Sequence, residues 1–322
     1  MRQGNFSNQL TPMPKYSVVI PVYKGEKTIS VLAEEIIAFF KSINESCEIV
    51  FVFDCGPDNS WQVIKSLCRQ YPGIVNGVRL SRNFGQHNAT ICGFRYAKGE
   101  FIITMDEDLQ QQPSNIIQLI NKQKVGDFDL VYGKYAEVKH SGFRNVTSRI
   151  LKKLLRVGIP ELHPDYTSFR LIKGSIAKYT LEMNNSYTFL DGYLSWITGN
   201  VSSVVVDHQE RAYGVSSYST KMLIAHSVNI FVTFSKLPIR ILAYTSFIIT
   251  TLSFIYALYV ILRRIIYNDF ITGFSTFAIM GGIGIGVILF GLGIIGEYIQ
   301  RINTKTTRKP TFIAIEVIEG EN

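Results

Sequence analysis

Asp106 and Asp108 stand at the end of an apolar run, Phe101-Ile102-Ile103-Thr104-Met105, inside the segment Asp106-Glu107-Asp108-Leu109-Gln110. The run predicts a β-strand, and two carboxylates two residues apart on extended backbone point to the same side. Left to themselves they would repel each other, and each would be costly to remove from water. A divalent cation removes both penalties, and hard oxygen ligands suit Mg2+ or Mn2+. An ion held by only one or two protein carboxylates usually completes its shell with substrate phosphates. A solvated acidic turn ahead of a helix starting at Pro113 has the same local pattern, so the surrounding elements must decide.

Those elements alternate. Tyr16–Val22 is β-branched and reads as a strand, followed by helical spacing of Ile29, Leu32, Ile36, Ile37 and Phe40. Glu48–Phe53 and Ile74–Leu80 read as further strands, with helices over Ser60–Tyr71 and Gln86–Ala97. Such alternation implies an α/β fold with a mostly parallel, Rossmann-like sheet, in which ligands bind beyond the carboxyl ends of the strands. Four polar junctions fall at that edge: Tyr23-Lys24-Gly25-Glu26, Asp54-Cys55-Gly56-Pro57-Asp58, Ser81-Arg82-Asn83-Phe84-Gly85, and the Asp106–Gln110 segment. Neither a P-loop nor a dinucleotide fingerprint is present.

Composition changes near residue 236. Ile241–Leu262 and Phe270–Gly296 carry no charge over about 22 and about 27 residues, and at ~1.5 Å per residue each can cross a hydrocarbon core of about 30 Å. The start, Met1-Arg2-Gln3-Gly4-Asn5, has no hydrophobic signal core, so the N-terminal part is expected in the cytoplasm, and two spans return the chain there. Lys236, Arg240, Arg301, Lys305, Arg308 and Lys309 agree with a positive-inside orientation, whereas Arg263 and Arg264 would have to snorkel to headgroups. The expected location is therefore a membrane, multi-pass, with the N-terminal part cytoplasmic. The four cysteines, Cys47, Cys55, Cys68 and Cys92, have no metal-ligand spacing. A net charge of +8 fits anionic lipid or anionic substrate, and no nucleic-acid module is recognisable.

The junctions resemble family 2 glycosyltransferases of the GT-A fold, in the polyisoprenyl-phosphate branch with C-terminal membrane helices. The matching stretches are SVVIPVY (17–23), EIVFVFDCGPDNSW (48–61), LSRNFGQHNATICGF (80–94), MDEDLQQQP (105–113), DYTSFRL (165–171), ERAYGVSSYS (210–219) and IGEYIQRI (295–302). Bactoprenol glucosyltransferases, the undecaprenyl-phosphate formamidoarabinose transferases and dolichyl-phosphate mannose synthases belong to that branch. The resemblance implies a glycosyltransferase domain over 1–218, a juxtamembrane amphipathic helix over 219–240, membrane helices over 241–262 and 270–296, and a cytoplasmic tail over 297–322.

It also implies roles. Asp106, Asp108 and Gln110 would hold the metal that bridges a nucleotide diphosphate. Pro21, Val22 and Tyr23 would line the base pocket, and Asp54 would contact the base, although Phe53 and Cys55 interrupt the usual Asp-Asp-Gly-Ser. Arg82 would contact phosphate or pair with the acidic segment, and Lys134 would stand in for an arginine as a phosphate partner. Asp165 would face the acceptor, with action as a general base the weaker option, and Arg170 would contact phosphate or form a buried salt bridge. Arg211, Ser216, Ser217 and Tyr218 would fold over the diphosphate.

Two interfacial helices are expected. Residues 144–158 place Arg144, Arg149, Lys152, Lys153 and Arg156 opposite an apolar face, suiting an anionic membrane surface or a lipid phosphate. The second runs toward Pro238. Gly282 and Gly286 allow close helix contact within or between chains, and a homo-oligomer, as large as a tetramer, is expected. The expected reaction is inverting transfer of a sugar from a nucleotide-diphosphate donor, UDP by family preference, to a polyprenyl (undecaprenyl) phosphate. A phosphate acceptor with a second pKa of about 6 is already largely ionised and needs no general base. Transfer to another lipid, such as diacylglycerol or a lipid-linked saccharide, and a non-catalytic membrane scaffold remain open.

Overall fold

The computed structural model describes residues 13–135, 159–183, 187–207, 229–235, 237–267, 273–306 and 310–320. Strand β1 (Tyr16–Val22) is buried along its whole length, flanked by β2 (Cys47–Phe53) and β4 (Phe101–Thr104), both parallel to it. Alternation sorts its side chains. Val18, Ile20 and Val22 face one core with Ile49, Phe51 and Phe53 of β2, while Val19 faces the other with Val50 and Val52.

Helices α1 (Ile29–Ser42), α2 (Ser60–Gln70) and α4 (Ile116–Gly126) fill the first core, as Leu32, Ile36, Ile64 and Leu119 show. On the opposite face lie α3 (Gln86–Tyr96), α5 (Gly174–Tyr179) and α6 (Leu190–Ile197), through Ile91, Phe94, Ala177, Leu190 and Tyr193. Burying both faces explains why these strands read as continuous apolar runs. The sheet adds β3 (Val75–Leu80), β5 (Leu130–Tyr135), β6 (Arg170–Lys173), β7 (Val201–Val206) and β8 (Ala314–Ile318) in the order β7-β5-β6-β4-β1-β2-β3-β8. It is mixed, because β6 runs antiparallel to both β4 and β5.

The last strand, β8 (Ala314–Ile318), pairs antiparallel with β3 at the edge. It falls inside the stretch expected from sequence as a cytoplasmic tail over 297–322. Glu316 ties β8 down, accepting from Trp61 Nε1 at 3.2 Å and pairing with Lys65 at 2.9 Å.

Two long helices precede β8: α7 (Leu237–Tyr267) and α8 (Phe274–Thr306). Both contain stretches long and apolar enough to cross a membrane, Ile239–Arg263 with mean hydropathy 1.9 and Gly284–Asn303 with 1.5. Their large apolar side chains, such as Phe247, Phe254, Phe277 and Phe290, stand exposed, as a lipid-facing helix requires. The expected second span over 270–296 is shifted, because α8 begins at Phe274 and continues to Thr306. Part of the expected juxtamembrane helix is described: residues 229–234 are helical, and Leu237–Arg240 already belongs to α7.

Candidate active site

The carboxyl ends of β1, β2 and β4 share one edge, and their outgoing loops carry the polar residues anticipated there. Strand β4 stops at Thr104, so Asp106–Gln110 is a turn and not extended chain. Strand alternation therefore does not orient the two aspartates. Leu109 makes the turn with φ 61°, a left-handed backbone that costs a non-glycine residue about 1–2 kcal/mol, and the Gln110 N–H closes it on Asp108 Oδ1 at 3.2 Å.

Asp106 is held on several sides. Gln86 Nε2 donates to its Oδ1 at 2.6 Å. Gln111 Nε2 and Ser168 Oγ donate to its Oδ2 at 3.0 and 2.5 Å. Gln111 also accepts the Asp106 N–H through Oε1 at 3.0 Å and donates to Ser168 Oγ at 3.0 Å. These three neutral donors aim the carboxylate. The Tyr135 hydroxyl, at the end of β5, has its pKa raised by burial first and then by the charges of Asp106 and Asp108.

Glu107 turns toward the first strand, where it accepts the Tyr23 N–H at 3.4 Å. Burial first, then the charges of Asp106 and Asp108, push its carboxyl up to about 7 against the N–H donors that pull it down. Pro21 and Val22 are buried within β1, while Tyr23 emerges exposed at its end. Gly56 packs directly on this point: a Cβ there would lie 1.4 Å from the Tyr23 carbonyl oxygen, so only glycine fits.

Asp54 is 3 % exposed, and its two oxygens accept the N–H groups of Phe84 at 2.7 Å and Gly85 at 2.8 Å. It therefore pins the β3–α3 loop to the end of β2. Burial raises its carboxyl to about 6, although both N–H bonds oppose the shift. On the same loop Arg82 is exposed, with its guanidinium 4.6 Å from the Phe84 ring centroid.

Lys134 and Asp165 are brought together in an ion pair of 3.1 Å. Burial pushes the Asp165 carboxyl upward, but Lys134 and the Ser203 hydroxyl at 2.9 Å outweigh it and hold the group below its usual range. A carboxylate so stabilised is a weak base, which speaks against a general-base role. For Arg170, the structure shows the second of its two expected roles, the buried salt bridge. Its guanidinium is buried against Asp191, itself bonded to the Tyr132 hydroxyl at 2.9 Å, while Arg170 Nε donates to Thr104 Oγ1 at 3.1 Å. Arg170 is thus a buried residue bracing β6 on β4.

Residues 17–180 match the family model for glycosyl transferase family 2. The chain belongs to that family. It is a glycosyltransferase. Over 315 residues it is 30 % identical to an undecaprenyl-phosphate 4-deoxy-4-formamido-L-arabinose transferase of Serratia proteamaculans, covering 97 % of this chain and 96 % of the relative. The enzyme of that name from Shewanella sediminis is 31 % identical over 309 residues, covering 95 % and 93 %. Among solved structures, mannosyl-3-phosphoglycerate synthase from Rubrobacter xylanophilus superposes with TM-score 0.53 at 16 % identity, over 67 % of this chain and 72 % of that one. Glucosyl-3-phosphoglycerate synthase from Mycobacterium tuberculosis, in complex with Mn2+, UDP and glucosyl-3-phosphoglycerate, gives TM-score 0.51 at 16 % identity, over 68 % and 78 %. At these identities the likeness concerns the fold.

In this glycosyltransferase, Arg211, Ser216, Ser217 and Tyr218 lie outside the described residues, as do Arg144, Arg149, Lys152, Lys153 and Arg156. Three neighbours of Asp106 were not anticipated as its partners: Gln86, Gln111 and Ser168. Gln111 sits between two other glutamines, and only its burial, at 3 % exposure, distinguishes it. Ser168 was noticed within DYTSFRL, but nothing in a linear chain announces a partner 62 residues earlier.

Proposed function

We propose that this glycosyltransferase moves a sugar, with inversion, from a nucleotide-diphosphate donor, a UDP-sugar, to a polyprenyl phosphate lying in the bilayer. The observation that carries this reading is Asp106, aimed at the ligand edge of the sheet by Gln86, Gln111 and Ser168, in a chain that also carries two helices of membrane-spanning length.

The residues present fit a divalent ion. Asp106 and Asp108 offer hard anionic oxygens, Gln110 would add an amide oxygen, and Gln86, Gln111 and Ser168 would hold the Asp106 carboxylate in a fixed orientation for the ion. A bound Mg2+ or Mn2+ would neutralise the diphosphate as it leaves with added negative charge. Tyr23 and the Gly56 loop would border the nucleotide, with Asp54 holding the third loop in place rather than reading the base directly. Arg82, exposed beside that loop, would bind phosphate. The acceptor phosphate would attack as a dianion, so proton removal is no part of the step and Asp165 serves by fixing Lys134. Homologues named as undecaprenyl-phosphate transferases over nearly the whole chain support this acceptor.

A panel of UDP- and GDP-sugars, offered to the purified protein with undecaprenyl phosphate and Mn2+ or Mg2+, tests the proposal by mass spectrometry of the lipid product. A sugar joined through a phosphodiester is expected. A glycosidic ether on diacylglycerol, or no donor turnover at all, would overturn it.

A further inference from the structure

The motif IGEYIQRI at the end of α8 has no part in the chemistry above, yet its side chains do not hang free. Arg301 donates from Nη1 to Thr233 Oγ1 at 2.6 Å and from Nη2 to Asn229 Oδ1 at 3.4 Å, and it pairs with Glu297 at 2.7 Å. The Tyr298 hydroxyl donates to the Ser235 carbonyl at 3.2 Å. Together they clasp the short helix at 229–234 to α8. A planar guanidinium with three acceptors fixes orientation as well as distance. Apolar packing alone would not require it.

The other side of the short helix enters the catalytic domain. Phe234, 8 % exposed, lies 4.8 Å from the Trp196 ring, 5.8 Å from Phe189 and 5.9 Å from Tyr193. Gly192 makes the room, since a Cβ there would come within 2.6 Å of the Phe234 ring. Phe189 in turn meets His87 edge-on at 5.6 Å and Tyr166 at 5.7 Å. His87 follows Gln86, whose amide holds Asp106 at 2.6 Å. A continuous series of packed contacts therefore runs from α8 to the candidate metal-binding carboxylate.

We infer that Phe234 and Arg301 are positioning residues that hold the catalytic edge in register with the membrane helices, and so bring it within reach of an acceptor embedded in the bilayer. The inference rests on the lipid-acceptor reading. A displacement of about 1 Å at a reacting centre can cost about a hundredfold in rate, so a loosened register would reduce transfer without altering any group that touches the donor.

The test uses the full chain in liposomes and compares Phe234→Ala, Phe234→Leu, Arg301→Gln and Arg301→Lys with wild type. Three readouts are taken: transfer to undecaprenyl phosphate in the bilayer, transfer to a short water-soluble prenyl phosphate, and Mn2+-dependent UDP affinity. For Phe234→Ala and Arg301→Gln, bilayer transfer is expected to fall roughly 10- to 100-fold, while the other two readouts stay within about twofold. Phe234→Leu and Arg301→Lys should recover part of the loss. Equal losses in all three readouts would mean plain structural packing and overturn the inference, as would unchanged bilayer transfer. If Phe234→Ala fails to fold, the Arg301 pair decides alone. A wild-type protein inactive on both prenyl phosphates would instead overturn the acceptor reading itself.

Discussion

Ser168, just before β6, donates its hydroxyl to the Asp106 carboxylate just after β4, at 2.5 Å. Because β4 and β6 are antiparallel neighbours, the start of one lies beside the end of the other. Gln111 bonds to both residues, so three side chains from two loops form one closed set. Two motifs far apart in sequence thereby become a single rigid feature of the edge.

Gln111→Ala should leave the Asp106 main-chain N–H and one carboxylate oxygen short of partners, at a stability cost of about 1–3 kcal/mol. Loss of this orienting partner should also weaken Mn2+-dependent UDP binding by roughly 10- to 100-fold. Calorimetric titration of UDP with and without Mn2+ separates the two effects. Ser168→Ala, which removes one bond, should show the smaller loss.

Asp108→Asn should reduce sugar transfer by about a hundredfold or more while leaving the melting temperature near wild type. Normal turnover by this variant would sink the metal assignment.

The Arg170–Asp191 pair is a matter of folding. Asp191→Ala strands a buried guanidinium and should destabilise the domain by about 3–5 kcal/mol. Replacing both partners with apolar residues of similar volume should recover much of that loss. Thermal unfolding of the single and double variants measures it, and UDP affinity of the folded fraction should be little changed.

Asp54 predicts a pH dependence. Burial raises its folded carboxyl to about 6 from an ordinary 3.8, so between those values the folded state binds more protons than the unfolded one. This contribution to stability is full below about 3.8 and is lost as pH rises through about 6. A shift of about two pH units corresponds to roughly 3 kcal/mol. Asp54→Asn should flatten the fall in melting temperature over this interval while giving up one loop N–H bond. An unchanged slope would show that other groups set it.

The position of β8 predicts topology. A strand that completes the catalytic sheet must lie on the same side of a membrane as that sheet, so α7 and α8 must leave and return together. Cysteines introduced at Lys24 and Glu319 should react alike with a membrane-impermeant maleimide, from one face only.

Much of this was legible in the chain. Strand β1 is legible over its full extent, β2, β3, α2 and α3 within a residue of their ends, and α1 from its apolar spacing, because burial of both faces imposes unbroken apolar runs and a clear helical period. The acidic segment stood out for its charge beside an apolar strand. The strand β8 did not: five residues at an edge, alternating Ala314, Glu316 and Ile318 with Ile315 and Val317, resemble any polar-apolar tail until β3 is there to pair with.

The acidic candidate residues and the two helices long and apolar enough to cross a membrane are local properties, determined by residue type and run length. Which aspartate is aimed, and by what, is not. Arg170 could be read from sequence as a phosphate ligand or a buried salt bridge, and only Asp191 and Tyr132 around it show the bridge; that Asp54 holds two loop N–H groups is likewise visible only in three dimensions. Hydrogen bonds and desolvation act across space, and chain separation carries no information about them until the sheet order is known.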